Sequence, residues 1–226
     1  MSDSDYAGLL LQSSAVIREL TGAFDDGPSD LRVIEQSNPV VAPSRWVHEW
    51  TNNDDVVLSL GRIEGRHVVR FEDGSLFEFD LSNRTVTCPP LDATARHQLL
   101  DHVLPRVLDE LGHLMVHGSA IDTPSGAIVF IGDSGLGKST LAASFQSVGI
   151  ELLSDDCMRI VVGLNNAVTC VPTYRSLRLW PDSVSTLMST SRSEPMSETQ
   201  DKRRVTLPHA VTPAHSTEVA GICVLL

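Results

Sequence analysis

Lysine is almost missing from this 226-residue chain: Lys138 and Lys202 are the only two. Lysine and arginine together number 17 against 29 acidic residues, a formal charge of −12. A chain this acidic has no bulk attraction for a phosphate backbone or an anionic bilayer, which argues against nucleic acid and membrane surfaces as partners. Any phosphate it binds must be held locally. Residues 1–80 carry 15 acids against 6 bases, whereas residues 81–226 carry 14 against 11, so anion handling is expected in the second part.

Cysteine is scarce as well. Cys88, Cys157, Cys170 and Cys223 lie far apart, with no CxxC pair and no Cys/His cluster at zinc spacing, and read as reduced thiols of a cytosolic protein. No apolar run approaches the roughly 18 residues of a membrane-spanning helix. Asp3 and Asp5 stand where a secretory signal would carry basic residues, so the expected location is the cytoplasm. With 42% hydrophobic and 20% charged residues the composition is that of an ordinary globular chain. At about 150 residues per domain, the length allows one large or two small domains.

From Tyr6 to about Pro90 the pattern is strand-like and turn-rich, with apolar runs at 56–60, 67–71 and 76–81. Glu72-Asp73-Gly74 between two of them is a hairpin signal, and 25–30 and 37–44 read as loops. This predicts an N-terminal antiparallel β module over 1–90. Cys88-Pro89-Pro90 punctuates the chain, and Asp92 can cap a helix over 93–111 whose Leu99, Leu100, Val103, Val107 and Leu111 form one apolar stripe, with Pro105 as a point of bending. Short strands follow at 114–117 and 119–122, then a turn and the apolar strand 127–131. The Ser/Thr-rich stretch 189–200 reads as a polar loop.

After strand 127–131 the text becomes specific. Gly132-Asp133-Ser134-Gly135-Leu136-Gly137-Lys138-Ser139 fits GxxxxGK[ST] without a mismatch, with a helix-compatible run from Thr140 behind it. The glycines let backbone N–H groups turn toward a nucleotide's phosphates and the new helix presents its positive end. Lys138 reaches the β- and γ-phosphates, and Ser139 offers a hydroxyl to Mg²⁺. In a chain with two lysines, a chance match is rare. Gly149 then ends the helix, and a short strand at 150–153 runs into Ser154-Asp155-Asp156. In a right-handed βαβ unit the ends of strands 127–131 and 150–153 share one edge, which brings the acid pair to the loop. One carboxylate can reach the metal held at Ser139, and the other can accept a proton from an attacking hydroxyl. His117, in His117-Gly118-Ser119-Ala120, is either a partly buried structural histidine or a member of the site. His113 and His117 lack a third ligand at metal spacing.

The order HGSA, FIGDSGLGKST and LLSDD resembles the kinase domain of the HPr kinase/phosphorylase superfamily, whose nucleotide fold is shared with phosphoenolpyruvate carboxykinase. The resemblance covers about residues 92–226, with specific motifs from His117 to Asp156. Leu177-Arg178-Leu179-Trp180-Pro181-Asp182 and Lys202-Arg203-Arg204-Val205 are similar to segments of the compact HPr-kinase-like proteins, some of which phosphorylate a serine hydroxyl in peptide pathways. It implies an α/β fold with a P-loop kinase core over 91–226, residues 132–140 as the phosphate cradle, Asp155 as the catalytic base, Asp156 with Ser139 on the metal, and His117 orienting the acid pair. Thr140 stands where the bifunctional enzymes carry Glu, and their Glu-Val-Arg-Gly signature is absent around 171–175, so the resemblance extends to kinase chemistry rather than to phosphorolysis or to HPr as substrate.

The function expected is therefore an ATP- and Mg²⁺-dependent kinase acting on a hydroxyl, a serine of a peptide or small protein. A nucleotide-binding scaffold without transfer and a small-metabolite kinase are the alternatives. A homo-oligomer is compatible with the sequence. Of the basic residues beyond the loop, one of Arg175 and Arg178 is expected to face the site and the other solvent, and Lys202-Arg203-Arg204 reads either as an arm over the site or as a solvated face. The apolar strand 219–226 stops without a covering element, and further C-terminal elements are expected beyond it.

Overall fold

Alternation of apolar and polar residues dominates the chain, and strands dominate the structure accordingly. A computed structural model describes residues 2–15, 17, 19–20, 29–37, 40–196, 201–207 and 216–226. The fold is mixed α/β and strand-rich, with three sheets. By internal contacts the described chain falls into two units, one made of residues 2–4, 9–15, 17, 29–37 and 40–111, the other of 5–8, 19–20 and the described residues from 112 onward.

Most of the first unit is an eight-stranded sheet in the order β1-β2-β3-β8-β7-β6-β5-β4, the last two residues of β1 being counted with the second unit. Its strands are β1 (Ser2–Tyr6), β2 (Leu9–Ser13), β3 (Leu31–Glu35), β4 (Trp46–Asn52), β5 (Asp55–Ile63), β6 (Arg66–Phe71), β7 (Leu76–Asp80) and β8 (Thr85–Cys88). Strands β4 to β8 form an antiparallel meander, and the turn at 72–75 joins β6 to β7 as the Asp-Gly signal predicts. The module is not antiparallel throughout, because β3 pairs in parallel with both β2 and β8. Alternation reports which face of a strand is buried and is silent on strand direction, so this crossover was invisible in the pattern. The expected loop at 25–30 lies mostly outside the described residues, as do 38–39 of the loop at 37–44.

The helix expected over 93–111 forms as α1 (Ala93–Gln98) and α2 (Leu104–Glu110), joined by a π-helical turn over Leu99–Val103. Asp92 caps α1, its carboxylate accepting from Ala95 N at 2.8 Å. Pro105 explains the π turn: it has no N–H to give, and its ring would collide with the carbonyl four residues back, so the ladder widens just before it. This helical segment groups with the first unit, where Gln98 bonds Asp73 and the His102 ring lies tilted against Phe71, centroids 5.8 Å apart. The contact boundary thus falls at residue 111 rather than at Pro90.

In the second unit β9 (Leu114–Thr123), β10 (Gly126–Ile131), β11 (Leu152–Val162), β12 (Val168–Pro172) and β16 (Thr217–Val224) close a five-stranded barrel in the order β10-β16-β12-β11-β9. Between β10 and β11 comes α3 (Lys138–Ser147). A three-stranded sheet of β13 (Ser176–Leu179), β15 (Arg203–Thr206) and β14 (Ser193–Pro195) and the short α4 (Pro181–Leu187) complete the unit. Two expectations change here. The strands expected at 114–117 and 119–122 are one, running straight through Gly118, where a Cβ would come within 2.5 Å of the Phe130 carbonyl oxygen. The polar stretch 189–200 contributes β14, and 197–200 lie outside the described residues. β16 is paired on both sides, parallel to β10 and antiparallel to β12, while Ile222 and Val224 remain exposed.

Ala120, Ala127, Val129, Leu153, Met158 and Cys170 make one core cluster. A second packs Ile121, Phe130 and Leu152 with Ala142 and Ala143 of α3 and Leu177, Leu179 and Val205 of the small sheet. The helix behind the glycine-rich loop is thereby fixed against the strands that carry the acid pair.

All four cysteines are free thiols; Cys88, Cys157 and Cys170 are buried and Cys223 is exposed. Burial pushes the Cys88 and Cys170 thiols up to about 12. At pH 8 their thiolate fraction is about one in 10⁴. Titration of the native protein with a disulfide reagent at that pH should therefore modify Cys223 first and the other three only on unfolding; rapid reaction of Cys88 or Cys170 would contradict the packing.

Candidate active site

The glycine-rich segment leaves β10 and enters α3 as the motif requires. Gly135 and Gly137 take φ of 90° and 86°, a left-handed conformation that costs glycine least, and Gly137 is the N-cap of α3. Lys138 is buried, its Nζ donating to the carbonyls of Gly132 at 2.8 Å and Asp133 at 3.0 Å. The Lys138 ammonium is thus held by two carbonyls of its own loop.

The acid pair reaches the loop by a different path from the expected one. β10 and β11 are not neighbours; β9 lies between them, antiparallel to both. Phe130, Ser119 and Asp155 sit in one row across the three strands, so the loop that follows Ile131 emerges beside Asp155 and Asp156. The pair also lies in the body of an eleven-residue strand rather than at the end of a short one. Asp156 has φ of 77°, a left-handed value that costs a non-glycine residue of order 1–3 kcal/mol.

Asp155 is 0% exposed. Its Oδ1 accepts from Ser119 Oγ at 2.6 Å and from Ser139 Oγ at 2.8 Å, and its Oδ2 from the backbone N–H of Arg178 at 2.8 Å. Burial pushes its carboxyl up from the ordinary range, opposed by the Arg178 guanidinium and the Ser119 hydroxyl. Asp156 keeps 24% of its side chain exposed, and His117 Nδ1, on a side chain 57% exposed, stands 3.7 Å from Asp156 Oδ1.

These groups line one cleft with Ser134, Gly135, Gly137, Thr140, Arg178, Trp180 and Lys202. Lys202 Nζ lies 5.6 Å from the ring centroid of Trp180, which is 50% exposed. In a chain of net charge −12 the cleft thus gathers Lys138, Arg178 and Lys202 around two carboxylates. Of the residues singled out in the sequence, Gly132, Asp133 and Leu136 do not line it; the first two instead hold Lys138. Arg178 faces the site, but Arg175 does not face solvent: it is buried and pairs with Glu151. Arg203 bonds Ser193, and Arg204 is buried, so the basic triplet is neither a solvated face nor an arm in which all three reach the cleft.

Ser119 and Trp180 were not expected as site residues. The Ser119 bond depends on which strand faces β11, and the position of Trp180 on where β13 lands, and neither is a property of local sequence. Among the described residues no group of three or more His, Cys, Asp or Glu side chains is arranged to hold a metal by itself. The donors present, a hydroxyl and two carboxylates, are hard oxygens suited to Mg²⁺, an ion usually held by one or two carboxylates together with substrate phosphates. No protein-family model matches the chain, and no curated protein matches it.

The strain at Asp156 can be read directly. Asp156→Gly should raise stability by about 0.5–1 kcal/mol in denaturant titration, the relief of the left-handed conformation exceeding glycine's entropic cost. A destabilised variant would show that the carboxylate's contacts outweigh the backbone.

Proposed function

We propose that the chain is a Mg²⁺-dependent kinase that moves the γ-phosphoryl group of ATP to a hydroxyl, with a serine of a peptide or small protein as acceptor. One observation carries the reading: Ser139, the residue after the loop lysine, donates its hydroxyl to the buried carboxylate of Asp155 at 2.8 Å, so phosphate cradle and acid pair meet at one point. The motif order shared with HPr-kinase-like proteins supports the same chemistry.

Phosphoryl transfer asks a protein mainly for positioning and charge neutralisation. Lys138 exchanges two loop carbonyls for phosphate oxygens, and Arg178 and Lys202 add positive charge along the cleft. Mg²⁺, when bound, supplies further neutralisation of the phosphate oxygens. Asp155 has no exposed surface and three donors on its oxygens, so we give it, with Ser139, the metal side of the site. The carboxylate open to an acceptor is that of Asp156. This reverses the division implied by the resemblance. As the acceptor oxygen bonds to the γ-phosphorus, the bond from that phosphorus to the β–γ bridging oxygen breaks, ADP departs, and the hydroxyl proton passes to Asp156. His117 orients that carboxylate from the solvent side.

Lys138→Ala should lower transfer of labelled γ-phosphate to a serine peptide by about 10²–10³-fold. Unchanged transfer would overturn the reading. The division of roles has its own test: Asp155→Asn should lose Mg²⁺-dependent nucleotide binding, whereas Asp156→Asn should keep binding and lose transfer. The opposite pattern would restore Asp155 as the base.

A further inference from the structure

The bonds to Asp155 are one end of a longer buried row of polar groups. Arg178 and Arg204 stand directly opposite one another across β13 and β15. Both side chains are buried, 4% and 5% exposed. Like charges directly opposite across strands repel, and salt screens such a pair poorly when water is excluded. The Tyr174 hydroxyl accepts from both, from Arg178 Nη2 and from Arg204 Nη2 at 3.3 Å, but it brings no charge.

The charge comes from the two ends of the row. Asp155 Oδ2 lies 3.9 Å from Arg178 Nη1, and the Asp155 carbonyl accepts from the same nitrogen. At the far end Glu19 Oε1 accepts from Arg204 Nη1 at 2.5 Å, across 185 residues of sequence. The Glu19 side chain is itself only 7% exposed. Tyr6, 1% exposed, lies behind Tyr174 with ring centroids 6.5 Å apart. The order along the row is carboxylate, guanidinium, guanidinium, carboxylate.

We propose that Glu19 is a positioning residue for the metal side of the site: by neutralising Arg204 it leaves the Arg178 guanidinium to Asp155 and holds that carboxylate toward Ser139. The inference rests on the nucleotide-binding reading above. Replacing Glu19 by Gln keeps its shape but removes the negative charge that faces Arg204 Nη1. Arg178 is then drawn away from its place beside Asp155, and the excess positive charge opposes a divalent cation at Ser139. Groups that orient a metal ligand from behind typically matter tenfold or more to metal affinity. Tyr174→Phe cuts the same row in the middle without altering its charge.

The test needs no acceptor. Binding of a fluorescent ADP analogue is followed with and without Mg²⁺ in the full chain, with circular dichroism as a check on folding. Glu19→Gln should raise the Mg²⁺ concentration needed for half-maximal enhancement about tenfold, and Tyr174→Phe should raise it in the same direction. Binding without Mg²⁺ should stay within about twofold of the wild type, a split that loss of fold would not produce. A folded Glu19→Gln with the wild-type Mg²⁺ dependence would overturn the proposal while leaving the kinase reading intact. If Glu19→Gln does not fold, the double variant Glu19→Gln/Arg204→Gln, which removes one charge of each sign, decides: it should keep the wild-type Mg²⁺ dependence, and a demand raised about tenfold would overturn the proposal. A wild-type chain that binds no nucleotide would instead overturn the reading on which the proposal stands.

Discussion

A carboxylate with no exposed surface is expensive to bury, and the second unit is organised around meeting that cost at Asp155. Three donors from three different elements converge on it: Ser119 from β9, Ser139 from α3 and the backbone N–H of Arg178 from β13. Its own strand, β11, supplies the fourth element. Removing one partner of such a buried charge typically costs about 3–5 kcal/mol, because the charge is then left uncompensated, so the four elements are held to one mutual arrangement. The glycine-rich loop takes its position from the same knot, because Ser139 closes the glycine-rich motif and is the second residue of α3.

That knot also sorts the charges of an acidic chain. The cations near it are held one by one: Lys138 by loop carbonyls, Arg178 by Asp155 and Tyr174, Arg204 by Glu19, Lys202 over the face of Trp180. Exposure then separates the two acids. Asp155 belongs to the buried framework, whereas Asp156, pushed outward by its left-handed backbone, presents a carboxylate to the cleft. Two adjacent residues of identical type thus stand in different surroundings, one sealed and one open to the cleft.

The loop, the helix after it and the arrival of the acid pair beside it were legible in the sequence, because each is written in local residue types: glycines and a lysine at fixed spacing, Gly149 after the helix, two aspartates after an apolar run. The β9 strand between β10 and β11 was not legible, since a barrel and an open parallel sheet make the same apolar runs. The parallel pairings of β3 escaped for a related reason. Arg204 and Glu19 were beyond reach altogether, being partners separated by 185 residues whose burial depends on two registers at once. The π-helical turn before Pro105 was half legible, as a bend without its form.

A crystal structure of the chain grown with Mg²⁺ and a non-hydrolysable ATP analogue tests the central claim most directly. The account predicts the β-phosphate within the turn of residues 132–139, with Lys138 Nζ moved from the Gly132 and Asp133 carbonyls onto phosphate oxygens and Mg²⁺ at the Ser139 hydroxyl beside Asp155. Triphosphate bound elsewhere, with Lys138 still on its two carbonyls and Ser139 still on Asp155, would contradict it.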